Sequence, residues 1–475
     1  MLNKNVLTKI LDIALKKGGD FAEIYVEEKT VNNIFCEDNK IERINGGIEK
    51  GAGIRVINAG NTAYVYTNDL TESGLLNSAI TASNALVNAN SAPISNINLQ
   101  VRKPNYTLDC LKQPDNMGIE DKITKILDAN KLARNISEEI RQVTIAIGDS
   151  KKKLQIANSN GVYVEDERLR VRLIANIVSG RDNLIQTGYE SAGGVCGLEL
   201  LDEFSLEALA EKAANLSLNM LDAKPAPAGK MPIVMAAEAG GTMVHEACGH
   251  GLEADLVQRG LSVYNKKGEK VANEKVTVID DASIPSKYGS YVFDDEGEVG
   301  QKTILIENGY LTNYMYDYLT AEKDKVKSTG NGRRESYQHK PIPRMSNTYI
   351  APGFDKPDEI IKSTKKGLLV KKMGGGQVNT TNGDFVFEVS EGYLIEDGEV
   401  QYPVRGATLI GNGPIALTQI DRVANDIGYA IGTCGKDGQG VPVADAQPTI
   451  RIKELTVGGT AIDHDNLTIK RIRRK

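Results

Sequence analysis

A proline- and alanine-rich run, Ala223-Lys-Pro-Ala-Pro-Ala-Gly229, divides the chain into two stretches of different pattern. Its prolines lack backbone donors and resist both helix interiors and central strands, so packed structure is expected to form separately on either side. Before the run, one order of elements recurs twice. Leu2, Val6, Ile10, Ile13 and Ala14 fall at helical spacing, and Gly18-Gly19 closes that segment. The pattern then predicts strands over 23–27, 32–36, 53–57 and 62–67, turns at Asn45-Gly46 and Gly60-Asn61, and a helix over 70–86. After a connection over 91–118, a helix over 119–141 leads to strands over 143–147, 153–157, 162–164 and 169–178, with a turn at Asn160-Gly161 and a helix over 204–221. Helix, antiparallel strands, helix, twice over, predicts an α+β region with a weak internal duplication.

Beyond the run, an apolar strand over 232–235 is followed by turn-rich, β-forming sequence. Asn308-Gly309, Asn382-Gly383 and Asp397-Gly398 each sit among β-formers and predict hairpins. The expected fold class is α+β in two domains. Residues 1–222 form an α/β-layered domain with antiparallel strands, and residues 223–475 a mainly antiparallel-β domain carrying one unusual helix. At 475 residues the chain is long enough for two cores.

That helix is Thr242-Met-Val-His-Glu-Ala-Cys-Gly-His-Gly-Leu-Glu253, which holds two of only four histidines. Gly240-Gly241 precede it, Thr242 is placed to cap it, and Gly260 to end it. Imidazole is the commonest metal ligand and a carboxylate carries protons well, so His245-Glu246 followed by His250 reads as a metallohydrolase helix. The spacing is unusual. Two histidines four apart share a helical face, whereas positions five apart lie roughly 140° around a regular helix, too far to hold one ion. A π-bulge brings i and i+5 into line, and Gly249 and Gly251 lower the cost of distortion, so a bulged or broken turn is expected.

A catalytic zinc takes three protein ligands and keeps one position open. Glu253, His339 and Cys434 are candidates for the third, Glu253 also for a partner behind His250. Cys434 is the most suggestive, because glycines around it allow close approach and Lys436 would favour its thiolate. Cys248 points away from both histidines on a regular helix and reads as packing.

Other chemistries find little support. There is no G-x-S-x-G elbow and no phosphate loop. Gly411-Asn-Gly-Pro-Ile-Ala416 fits a turn better than a dinucleotide fingerprint, and Gly374-Gly-Gly376 reads as a tight turn or a place where a ligand backbone passes close. Asp294-Asp295-Glu296 is acidic enough to bind a cation, but reads better as an exposed loop. A net charge of −6 argues against nucleic acid as a partner, and the basic end Lys470-Arg-Ile-Arg-Arg-Lys475 is short enough to be a solvated tail. No stretch is long enough to span a bilayer, the amino terminus has no signal-peptide core, and the five cysteines are scattered, so a reducing cytoplasm with free thiols is expected.

Together, His245-Glu-Ala-Cys-Gly-His250, Gly330-Asn-Gly-Arg-Arg-Glu-Ser336, Gly374-Gly-Gly-Gln-Val378, Cys434-Gly-Lys-Asp-Gly-Gln439 and Val441-Pro-Val443 resemble the TldD/PmbA family of zinc metalloproteases, TldD-type members above all. The likeness spans essentially the whole chain. It implies Zn2+ held by His245, His250 and Cys434, with Glu246 as the catalytic carboxylate. It implies hydrolysis of unfolded or extended peptides inside a cavity between subunits, and pairing with a TldE/PmbA-type chain or with itself. His339, Arg333 and Arg334 are candidates for binding substrate or the developing oxyanion. The competing expectation is a non-catalytic, zinc-stabilised binding or regulatory subunit, which would close the site with a fourth protein ligand.

Overall fold

Side-chain alternation along four long strands decides how the first half is layered. The computed structural model describes residues 1–85, 97–104 and 106–460; the basic tail and the end of the helix expected over 70–86 lie outside them. Strand segments expected singly merge. Those over 23–27 and 32–36 are parts of Phe21–Glu37, those over 143–147 and 153–157 parts of Ile140–Asn158, and those over 162–164 and 169–178 parts of Val162–Arg181. Asn45-Gly46 is no turn, because Gly46 sits opposite Asn32 in an unbroken stretch of the ladder between Phe21–Glu37 and Lys40–Asn58. The chain reverses instead at Asp38-Asn39, both left-handed with φ of 49° and 66°, the conformation that suits a two-residue hairpin. The turn expected at Gly60-Asn61 falls one residue earlier, at Ala59-Gly60. The helix expected to reach 141 is Ile119–Arg134, and Arg141 lies in the following strand.

The seven-stranded sheet joins two three-stranded meanders through the antiparallel pair Phe21–Glu37 and Ile140–Asn158. Each meander has its own helix pair: Lys4–Ala14 with Glu72–Asn84, and Ile119–Arg134 with Leu206–Asp222. This is the expected duplication, expressed in architecture. Ala22, Ile24 and Val26 pack with Leu7, Ile10 and Leu75 on the helical face, and Ile145, Leu173 and Ile177 pack with Ile126 and Ala213. The intervening residues face the other way, where Tyr25, Leu154 and Ile156 meet Phe293 and Tyr337 from the second half.

That second contact is charged as well as apolar. Asp294-Asp295-Glu296 is buried rather than exposed. Arg55 lies 2.9 Å from Glu23 and 2.6 Å from Glu296, Arg168 lies 2.8 Å from Asp295, and Arg334 reaches Glu23 at 2.5 Å. Burial resists ionisation of Asp295, yet the guanidinium of Arg168 holds it down at about 2. Alternation explains the expectation's failure, since residues 23, 27, 55, 168 and 170 share the sheet face that the second half covers.

In the second half, Lys366–Val378 pairs with both Gly229–Met235 and Asp384–Glu396, and Ile450–Gly458 and Thr408–Asn412 complete a closed circuit of strands. Phe385, Phe387, Leu409 and Ile452 belong to the core, together with Ala247 and Cys248 of the unusual helix. A six-stranded sheet lies beside it, with Gly428–Lys436 at one edge. The three Asn-Gly and Asp-Gly hairpins fall where expected. No strand pairing links the sheet before Gly194 to those after Lys224 among the described residues.

Candidate metal centre

The helix breaks at the histidines as the spacing requires. A short α-turn, Thr242–Val244, passes into a π-helical turn, His245–Gly249, and then a 3-10 turn, His250–Leu252. The His250 amide donates to the His245 carbonyl five residues back, which lines up their side chains. The two rings stand 4.9 Å apart between centroids, at 88° to one another. Thr242 is the first helical residue rather than the cap; Gly241 precedes it without a side-chain cap. Gly249 has ordinary helical angles, so conformational freedom is not why it is glycine. A Cβ there would meet Met345 Sδ at 2.3 Å, and one at Gly251 would meet the Tyr264 ring at 2.7 Å. Close packing on both sides demands the small residues.

Cys434 arrives from the edge hairpin Gly428–Lys436 and Gln439–Gln447. Its Sγ lies 3.4 Å from His250 Nε2, and the donor atoms of His245, His250 and Cys434 all lie within 4.8 Å of one another. No other group of three such donors comes this close among the described residues. Cys248 is fully buried, its thiol directed to the Val244 carbonyl, and it packs as expected.

Carboxylates stand behind both rings. His250 Nδ1 is 3.0 Å from Glu253 Oε2, leaving Nε2 to face Cys434. Asp445 Oδ2 is 2.9 Å from His245 Nδ1, though poorly aligned for a hydrogen bond. Glu253 therefore supports a histidine and is not a third ligand. Asp445 went unrecognised in the sequence, and its signal was hairpin alternation. Cys434 sits opposite Val441 and Ala430 opposite Asp445, so stepping by two from the cysteine and crossing the Asp437-Gly438 turn reaches Asp445 on the same face.

Lys436 does not serve the thiolate. Its Nζ lies 3.1 Å from Glu253 and 2.6 Å from Asp255, while Arg344 donates to the Cys434 carbonyl at 2.6 Å and lies 3.8 Å from Glu253. The two basic residues thus tie the cysteine strand to the histidine helix. Burial opposes charge on the Cys434 thiol, but the two imidazoles overcome it and bring its pKa down to about 5. Burial likewise opposes the imidazolium of His250, and Glu253 and the thiolate lift it to about 9. His245 is raised too, against its burial, chiefly by Asp445. Glu246 is half-buried and its pKa is raised by burial, against the pull of the histidines.

A cavity of about 650 Å³ opens onto this cluster, lined by His245, Glu246, His250, Cys434, Asp445 and the segment 376–378. Gly374-Gly-Gly376 is therefore strand beside the cavity rather than a turn. Three expected substrate-binding residues are elsewhere. Arg334 is locked to Glu23 and Asp295, Arg333 donates to the carbonyls of Met345 and Pro442, and His339 contacts Ser336; none lines the cavity.

Family profiles described as domain 1, the central domain and the C-terminal domain of the PmbA/TldA metallopeptidases match residues 22–86, 112–221 and 228–459. The chain belongs to the TldD/PmbA family. A metalloprotease TldD homolog from Haemophilus influenzae is 35% identical over 467 residues, 97% of this chain and 97% of that protein. Two solved structures share the TldD/PmbA fold. A protein of Thermotoga maritima, described as a candidate modulator of a DNA gyrase, superimposes with a TM-score of 0.78 at 21% identity, covering 96% of this chain and all of that one. TldE from Thermococcus kodakarensis does so with a TM-score of 0.74 at 20% identity, covering 96% and 100%. For this TldD/PmbA member the family profile spans the histidine turn and the cysteine hairpin in one segment.

Proposed function

We propose that the protein is a zinc-dependent metalloprotease that hydrolyses unfolded or extended peptides, with His245, His250 and Cys434 as metal ligands and Glu246 as general base. The observation that carries this reading is the convergence of two imidazoles and a low-pKa thiol beside a cavity that Glu246 also lines. The donor set fits the ion. Ordinary zinc–nitrogen and zinc–sulfur lengths in tetrahedral geometry separate the two donor atoms by about 3.6 Å, and the cysteine sulfur lies 3.4 Å from His250 Nε2.

Bound zinc would supply Lewis acidity, polarising a carbonyl and making water acidic enough to lose a proton near neutrality. The chain supplies the proton traffic. A carboxylate with a raised pKa, as at Glu246, accepts a proton from water more readily than an ordinary one, and once protonated it can hand that proton to the leaving amine. Glu253 holds the His250 ring by a hydrogen bond, and the Asp445 carboxylate lies 2.9 Å behind His245 as its charge partner. Substrate main chain has two sheet edges to join. Gly428–Lys436 has a single neighbour among the described residues, and Lys366–Val378 loses Gly229–Met235 beyond Val370. Both bare segments line the cavity, which suits recognition of extended backbone with little regard to side chains.

The competing reading, a closed structural zinc, needs a fourth protein ligand. Its named sources, Glu253 and His339, are engaged with His250 and with Ser336. Division into domains at 222/223, pairing with a TldE-type chain or a second copy, and a cytoplasmic site of action belong to the same proposal. For the last, all five cysteines are free and no described helix is long and apolar enough to cross a membrane. The test is metal content and peptide cleavage of the purified protein with and without a chelator. Stoichiometric zinc and chelator-sensitive cleavage are expected; a metal-free preparation with His245, His250 and Cys434 intact would end the proposal.

A further inference from the structure

We propose that a second cavity, beside the metal centre, is a subsite that selects an apolar side chain of the peptide substrate. This rests on the peptidase reading above and adds a specificity to it. The second cavity measures about 710 Å³ and shares Gln377 and Val378 with the first, so a chain leaving the metal centre across those residues enters it directly. Its floor is the outer face of the closed strand circuit. Gln377, Val386, Ile410 and Thr456 form one cross-strand row, each opposite the next. Their strand neighbours Phe385, Phe387 and Leu409 point into the core, so the row faces out.

An outward row of this kind ordinarily carries polar side chains. Here Val386 is 49% exposed, Ile410 43%, and Ile415 on the adjoining short helix Gly413–Thr418 57%. The one lysine among the lining residues is already paired, while the Gln419 Oε1 in the same lining has no partner. Lys230 pairs with Glu454 at 3.1 Å, and the Asp384 carboxylate accepts from the amides of Asn382 and Asn412 at 2.8 and 3.0 Å. An anionic ligand group would find no free cation among these lining residues, while an apolar one would cover surface now facing water. The floor is also held in place relative to the chemistry. The helix bearing Ile415 abuts the π-helical turn so closely that a Cβ on Gly413 would come within 2.2 Å of the Ala247 carbonyl. Apolar patch, a rim with no free cation and continuity with the metal cavity point to one occupant, a leucine-, isoleucine- or phenylalanine-like residue of the substrate beyond the bond that is cut.

The test uses the full-length, zinc-loaded Glu246→Gln protein, binding fluorescent peptides in which Leu is moved along an otherwise Gly/Ser sequence and compared with Asp. One Leu position should bind tighter than Asp by on the order of tenfold or more. Ile410→Asp and, separately, Ile415→Asp should each erase that difference; both side chains are exposed, so the fold tolerates the change. No positional preference, or a preference that survives both substitutions, overturns the subsite. So does a drop in the oligomeric mass of either variant by light scattering, which would make the face a subunit contact. Cleavage by the unsubstituted enzyme is read separately. Leu-selective binding without any cleavage leaves the subsite standing and overturns the peptidase reading, and cleavage without Leu selectivity does the reverse.

Discussion

Two buried charged clusters, built from similar materials, do opposite things in this molecule. Where the two halves of the chain meet, Glu23, Arg55, Arg168, Asp295, Glu296 and Arg334 neutralise one another at 2.5 to 2.9 Å, away from the 650 Å³ cavity. At the metal centre, two imidazoles and a thiol point at each other beside that cavity. Burial of charge is common to both and distinguishes neither. In the first, each charge is answered by a fixed opposite charge, the arrangement that holds surfaces together. In the second, the donors converge on one point and carboxylates stand behind both rings, the arrangement that prepares for an ion.

Changes in the donors should break this contrast most sharply. Cys434→Ser or His250→Ala is expected to remove stoichiometric zinc and, with it, peptide cleavage by a factor of about 10³ or more, measured by metal analysis and initial rates. Glu246→Gln should retain the metal and lower kcat by about 10² to 10⁴, the range of general acid–base assistance; an unchanged kcat would remove Glu246 from the mechanism. Arg334→Met tests the other cluster. It leaves Glu23 to share Arg55 with Glu296 and should lower unfolding free energy by about 3–5 kcal/mol in denaturant titrations, while zinc content at room temperature stays unchanged. Loss of zinc in that variant would show that the two clusters are not separable.

Smaller effects sharpen the comparison. Glu253→Gln weakens the hold on His250 and should reduce zinc affinity by about 10–100-fold without abolishing it, as read by competition with a chelating dye. Acidity acts in the same direction. His250 has its pKa raised to about 9 and His245 is raised as well, so both rings carry protons at neutral pH that zinc must displace, whereas Cys434, at about 5, is already ionised. Zinc affinity should therefore rise with pH below 9, by about tenfold per unit for each proton displaced, with proton release detectable by calorimetry in buffers of different ionisation heat. A pH-independent affinity would show that the rings are neutral before binding.

What the sequence determined by itself was local chemistry and its periodicity. The five-residue spacing of His245 and His250 demanded a π-bulge, because no regular helix aligns those positions, and the turn formed. The Asn-Gly and Asp-Gly hairpins of the second half and the twice-repeated helix–strand–helix order were legible for the same reason, since period and turn residues act within a few positions. Tertiary structure decided whatever depended on partners remote in the chain. Asn45-Gly46 has a strong turn preference that lost to pairing along Phe21–Glu37. Arg333, Arg334 and Asp294-Asp295-Glu296 have the composition of an exposed, ligand-facing surface, and only the covering of one sheet face by the second half turned them inward. Lys436 lies two residues from Cys434 yet serves Glu253, and Asp445 reaches His245 only because a hairpin folds it back. A side chain's type limits which bonds it can make, but its neighbours in space, fixed by the packing of whole sheets, choose among them.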